Sequence, residues 1–208
     1  MSNPGDEPRA DAVDVIFALR GRAIMADYAD RLRGELLRCL PWLDDEARAG
    51  VHPLGGLSDG AGEHYLSGRS RLTLRLPRGR IDQAQALCGQ QLDLGGVAEV
   101  GRVALRELSP AAVLYSSFVA CGPADEAAFM AECQSEVGGL GFRNAYLICG
   151  KARRSNGGGV AVSGFSLMVY GLSTDESLRL QSTGLGGQRQ RGCGIFVPHK
   201  AIAAVGEV

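Results

Sequence analysis

No apolar run in the 208-residue chain approaches the roughly 20 residues that a membrane-spanning helix needs, so a partner or substrate is expected in water rather than in lipid. The six cysteines, at 39, 88, 121, 133, 149 and 193, include no C-x-x-C pair and have no histidine cluster nearby, which argues against a zinc site and against a disulfide framework. Reduced thiols in the cytoplasm are the simplest reading. The opening residues MSNPGDEPRADA are acidic and contain Pro and Gly, unlike a signal peptide, so 1–12 read as a flexible tail. Lysine is almost missing: arginine supplies 20 of the 22 basic residues, and only Lys151 and Lys200 make up the rest. Arginine stacks on aromatic rings and grips oxyanions in a bidentate fork, although genomic base composition also produces such a skew.

Net charge is close to zero, at -1, but it is unevenly spread. Residues 1–50 hold ten acids and seven bases, whereas Arg143 to Lys200 hold eight bases against only Asp175 and Glu176. A polyanion site needs a local field rather than a basic protein, so the balanced total excludes nothing.

Hydrophobic patterning gives the order of elements. Val13 to Leu19 reads as a buried strand, and Ala29, Leu32, Leu36 and Leu40 recur at helical spacing from about Ala26 to Pro41. Leu72, Leu74 and Leu76 alternate with Arg71, Thr73 and Arg75, predicting a strand with an outward arginine face. A helix is expected from Ile81 to about Leu92 and a strand from Val97 to Leu108. Ser109-Pro110 then punctuates the chain, and the order restarts. Val113 to Ala120 reads as a strand and the Phe129, Cys133, Val137 face as a helix. Two strands follow, joined by a basic tip GKARRSNGGG, then a short helix capped by Ser173 and Glu176. With a short extended segment from Val51 to Leu57 in the first half and a last strand starting at Ile195 to Val197 in the second, strand, helix, strand, strand, helix, strand occurs twice. The expected fold class is therefore α+β with two tandem ferredoxin-like (RRM-like) units, 13–109 and 110–208, the second carrying a glycine-rich loop.

That loop, Gly184-Leu185-Gly186-Gly187-Gln188-Arg189-Gln190-Arg191-Gly192-Cys193-Gly194, has five glycines in eleven residues. Backbone without Cβ can approach a ligand closely, and Arg189 and Arg191 would add positive forks, so a phosphate cradle is the reading. It is neither a dinucleotide fingerprint, since the third glycine of G-x-G-x-x-G would fall on Arg189, nor a P-loop, since no G-K-[ST] follows. A polyanion followed along its backbone suits it better. Arg69 and Arg71 belong to an acid-free stretch from Arg69 to Arg80, and Lys151, Arg153 and Arg154 sit on the glycine-rich hairpin tip. Either group is a candidate for phosphate contact or an ordinary solvated face. Histidine is the natural proton carrier near neutral pH, and there are three. His52, between glycines and beside Pro53, is the first candidate, against a structural loop histidine. His199, on an apolar strand, reads as a core residue, and His64, in a polar loop, as an exposed spectator.

The run SLRLQSTGLGGQRQRGCGIFVPHK (Ser177 to Lys200) resembles the C-terminal signature of the CRISPR-associated endoribonucleases that mature repeat RNA, the sixth Cas family of the RAMP superfamily, most of all its Myxan-type branch. The resemblance continues through LPWLDDEARAGVHPLGG (Leu40 to Gly56), LSGRSRLTLRLP (Leu66 to Pro77) and GFSLMVYGLS (Gly164 to Ser173), collinear over nearly the whole chain. It implies a metal-independent, cofactor-free endoribonuclease that binds the stem-loop of precursor CRISPR RNA and cuts by 2′-hydroxyl attack, leaving a 2′,3′-cyclic phosphate and a 5′-hydroxyl. Its partners would be the repeat RNA, as precursor and mature guide, and other Cas proteins of an effector complex. It implies His52 and Tyr28 as the catalytic candidates, Tyr28 standing where related sequences can carry a histidine. Arg69, Arg71, Lys151, Arg153, Arg154, Gly184, Gly186, Gly187, Arg189, Arg191, Gly192, Gly194 and Lys200 would contact RNA. A catalytically weak subunit that stays on the guide RNA, and a small-molecule regulatory domain, are the other readings.

Overall fold

The computed structural model describes residues 10–58, 62–122, 125–155 and 161–199, so Lys200 and the tip at 156–160 lie outside the described residues. The first half contains, in chain order, β1 (Ala12–Arg20), β2 (Ala23–Met25), α1 (Ala29–Cys39), β3 (Gly50–Val51), β4 (Leu57–Ser58), β5 (Glu63–Tyr65), β6 (Arg71–Pro77), α2 (Ile81–Ala84), β7 (Gln91–Asp93) and β8 (Val97–Glu107). The second contains β9 (Val113–Cys121), α3 (Glu126–Gly139), β10 (Tyr146–Ser155), β11 (Val162–Tyr170), α4 (Thr174–Thr183) and β12 (Val197–Pro198). The fold is α+β with antiparallel pairing throughout: a five-stranded sheet β3-β6-β1-β8-β7, a four-stranded sheet β10-β11-β9-β12, and a small sheet β2-β5-β4. No helix among the described residues is long and apolar enough to cross a membrane.

In the first sheet Val13, Val15 and Phe17 of β1 pair with Leu76, Leu74 and Leu72 of β6, and Leu32 and Leu36 of α1 close over them in one core. The second core joins Phe129, Cys133 and Val137 of α3 to Phe165, Leu167 and Val169 of β11. The expected Ser173/Glu176 capping box is present on α4.

Three expectations change. The helix from Ile81 to Leu92 is a single turn to Ala84 prolonged by a 3-10 turn to Leu87. Cys88 is extended and Gly89 has φ 82°, which turns the chain into β7 instead. The strand before the basic tip runs on to Ser155, so Lys151, Arg153 and Arg154 are residues of β10, with Arg153 opposite Gly164 and Arg154 opposite Ser163. The largest change concerns Arg75. Arg71 stays exposed, but Arg75 on the same face of β6 does not meet solvent: α4 and the approach to β12 lie over it, and it is 1% exposed. Alternation shows which residues share a face of a strand. What covers that face depends on the other half of the chain.

Candidate active site

Asp14 sits in the middle of β1 on the side away from α1, a carboxylate that is 1% exposed. Its Oδ1 accepts from Arg75 Nε at 2.8 Å and lies 3.2 Å from His52 Nε2, while Oδ2 accepts from Arg75 Nη2 at 3.2 Å and Arg106 Nη2 at 2.9 Å. Arg75 also donates through Nη1 to the Phe196 carbonyl at 2.6 Å and to the Gln181 carbonyl at 3.1 Å. One guanidinium thus ties the first sheet to α4 and the approach to β12. Burial alone would raise the Asp14 pKa, but hydrogen bonds from His52 and Arg75 and the Arg75 charge hold it far below the carboxylate range. For His52 burial is the largest influence and lowers its pKa. The Asp14 hydrogen bond opposes this, and the Arg75 charge adds to it, so the ring is neutral at neutral pH.

His52 follows β3, which pairs with β6 and so places the imidazole over Asp14; its own amide donates to the Thr73 carbonyl at 2.9 Å. It lines a small cleft together with Tyr28, Ala29, Val51, Pro53, Gln190, Arg191 and Gly192. The two catalytic candidates, 24 residues apart, and the glycine-rich loop, some 140 residues on, therefore converge. Tyr28 precedes α1, and its hydroxyl oxygen accepts from the Leu54 amide at 2.7 Å. Burial raises its pKa, so Tyr28 keeps its proton and can donate it. Its ring packs against that of His64, 5.3 Å between centroids. His64 is not an exposed spectator. It lies in β5 at 8% exposure as the partner of Tyr28, and the missing Cβ of Gly56, which would stand 2.3 Å from its Nε2, makes room for it. His199 departs from expectation the other way, exposed beside Tyr115 with ring centroids 5.4 Å apart.

The glycine-rich loop is more tightly spent on itself than a cradle requires. Arg189 is 8% exposed and points inward, donating to the carbonyls of Gly194, Arg48 and Ser182, contrary to its expected role as a fork facing ligand. Burial, followed by the charge of Arg75, lowers its pKa to about 10. Gly184 has φ 69° and ψ -171°, and an added Cβ would stand 1.8 Å from Arg189 Nη1. The amides of Gly186 and Gly194 already serve Glu136 Oε2 and the Phe118 carbonyl. These four residues hold the loop's shape. Gly187 and Gly192 are the open positions: no atom lies within 4 Å of a Cβ on Gly187, and the nearest to one on Gly192 is Pro53 Cγ at 3.5 Å. Arg191 lines the cleft and is ion-paired with Asp30, its Nε 2.5 Å from Oδ1.

Of the remaining basic candidates, Arg69, Arg71, Lys151, Arg153 and Arg154 are exposed. Arg71 folds back onto the carbonyls of Gly68 and Ser70, whereas Arg153 and Arg154 line an open hollow with Ser163, Gly164 and Phe165. Asp14, Arg75 and Arg106 were not singled out as a site by the sequence. A signal was there: one carboxylate inside the apolar run VDVIFAL, and one arginine midway along an alternating strand. Among the described residues no group of three His, Cys, Asp or Glu side chains is placed to hold a metal ion.

Comparison with known proteins gives concordant results. A CRISPR-associated endonuclease, Cas6, of Myxococcus xanthus (strain DK1622) is 35% identical over 195 residues, covering 93% of this chain and 84% of that protein. A solved structure of a Cas6-related protein from Pyrococcus furiosus superposes with a TM-score of 0.63 at 12% identity, covering 91% of this chain and 99% of the other. A RAMP protein described as binding different RNA substrates gives 0.61 at 13% identity, covering 90% and 100%. At such identities the two structures speak for the fold. The model of the family described as Cas6 Crispr matches residues 13–201, and the chain belongs to that family.

Proposed function

We propose that this protein is a metal-independent endoribonuclease that binds the stem-loop of precursor CRISPR RNA and cuts it to give mature guide RNA. The observation that carries this is the cleft in which His52, Tyr28, Arg191 and Gly192 meet across the two halves of the chain. Each half runs β-α-β-β-α-β, with its four main strands ordered second, third, first, fourth. That order supports reading them as two tandem ferredoxin-like units, 13–109 and 110–208, with the active site where they join.

The reaction needs no group beyond the chain and the RNA. The 2′-oxygen before the scissile bond attacks phosphorus, the bond to the 5′-oxygen breaks, and a 2′,3′-cyclic phosphate and a 5′-hydroxyl result. Neutral His52 takes the 2′-hydroxyl proton, protonated Tyr28 donates toward the departing oxygen, and Arg191 with the open backbone at Gly192 holds the phosphate. Lys151, Arg153 and Arg154 grip the duplex stem through phosphates, and Arg69 extends the basic surface. The protein works in the cytoplasm, with precursor and mature guide RNA and other Cas proteins of an effector complex as its partners.

The test uses labelled repeat RNA. Cleavage persists in excess EDTA, stops when the nucleotide before the cut carries a 2′-deoxy sugar, and falls at least a hundredfold in His52→Ala with binding nearly unchanged. Loss of activity on chelation overturns the metal-free mechanism. Binding without any cleavage, with His52→Ala behaving as the parent, makes the protein a guide-RNA-binding subunit instead.

A further inference from the structure

We infer that Asp14 is a positioning residue for the His52 base, fixing the ring as its Nε2–H tautomer and leaving Nδ1 as the nitrogen that accepts the substrate proton. This rests on the proposed role of His52, and it follows from the donors and acceptors around one buried carboxylate.

An ionised carboxylate can only accept hydrogen bonds. Asp14 faces three donors and no other acid: both oxygens engage Arg75, Oδ2 also takes Arg106, and Oδ1 also meets His52 Nε2 at 3.2 Å. The hydrogen on the shared His52–Asp14 axis therefore belongs to the imidazole. A neutral imidazole carries one hydrogen, so the lone pair is on Nδ1, which makes no hydrogen bond among the described residues. The carboxylate itself is held still. Arg75 is fixed at its far end by the carbonyls of Gln181 and Phe196, so the orientation of the base depends on how the second half seats against the first. The charged and titratable groups around His52 are Asp14 on β1, Arg75 on β6, Arg106 on β8, Tyr28 before α1 and Arg191 from the glycine-rich loop. Arg106 is the adjustable member: its side chain is 58% exposed, so it can be changed without opening the core.

The tautomer is readable directly, because the protein has only three histidines. Two-bond 15N–1H correlation spectra of the ring nitrogens, assigned with His52→Ala, should show His52 as the Nε2–H form with a midpoint below 6.5. Asp14→Asn removes the negative partner, so the fixed tautomer is lost and the midpoint drops further. Arg106→Gln removes a positive neighbour while keeping the carboxylate, so the tautomer stays and the midpoint rises. The ascending limb of the cleavage pH profile moves in the same two directions. Cleavage by Asp14→Asn falls roughly tenfold or more, part of the 10² to 10⁴ a general base contributes. A wild-type ring carrying its hydrogen on Nδ1, or midpoints that neither variant moves, overturns the inference and leaves Asp14 only as a counter-ion of Arg75 and Arg106. Should Asp14→Asn fail to fold, the wild-type tautomer and Arg106→Gln decide. His52→Ala cutting at the parental rate would refute the catalytic reading itself, whatever the spectra show.

Discussion

Replacing Arg75 by methionine keeps an unbranched stem and removes the charge and all the donors of the side chain. Asp14 and Arg75 are 2% and 1% exposed as side chains, and breaking such a pair costs about 3–5 kcal/mol because a charge is left buried. Here the lower end applies to the carboxylate, since Arg106 and His52 still reach it. The carbonyls of Phe196 and Gln181 also lose their guanidinium donor, adding about 1 kcal/mol. A total near 4 kcal/mol corresponds to a fall in Tm of about 8–16 °C for a chain of this length. Urea unfolding followed by circular dichroism, with calorimetry alongside, measures it. The double variant Arg75→Met, Asp14→Asn should be more stable than Arg75→Met alone, because no charge is then stranded. A cost below about 1 kcal/mol, or a double variant no better than the single, would refute the burial of this network as the tie between the halves.

His52 stays neutral in the fold at pH values where the unfolded chain would protonate it, so unfolding takes up a proton. Stability is then complete above roughly pH 6.5 and declines as pH falls, with Asp14 adding a second decline below roughly pH 4. His52→Gln should flatten the slope just below about pH 6.5, and an unchanged slope would contradict the buried neutral ring. Two glycines of one loop should behave oppositely. Gly184→Ala forces a Cβ against Arg189 in a region of φ,ψ space kept for glycine and should cost about 2 kcal/mol or more, whereas Gly187→Ala meets nothing and should stay within about 0.5 kcal/mol. Equal melting temperatures would refute that division. Arg153→Ala with Arg154→Ala should weaken repeat-RNA binding and reduce the salt slope by about one to two counterions; an unchanged slope would leave β10 as solvated surface.

The long strands β1, β6, β8, β9 and β11 were legible in the sequence, because apolar alternation of period two is a local property, whereas β7 fell in a run read as helix and β10 runs past its expected end. The sequence also marked His52, Tyr28 and the glycine-rich loop as the residues to watch, through residue chemistry and family resemblance. It misjudged what covers each face. Arg75 and Arg189 are polar residues in exposed-looking patterns, yet one is buried in an ion network and the other caps carbonyls, because segments more than 100 residues away close over them. His64 and His199 exchanged their expected places: Tyr28 and Gly56 of the same half pack around His64, and His199 lies exposed beside Tyr115. The short helix after Ile81 was overrun by its apolar pattern, where the left-handed backbone at Gly89 decided the turn. Asp14 is the clearest case. Its position inside an apolar strand was legible, but a carboxylate becomes a partner for histidine only when Arg75 and Arg106 arrive to keep it ionised. That is an electrostatic property of the assembled fold, set by burial and by donors from β6, β8 and the segment after β3 at once.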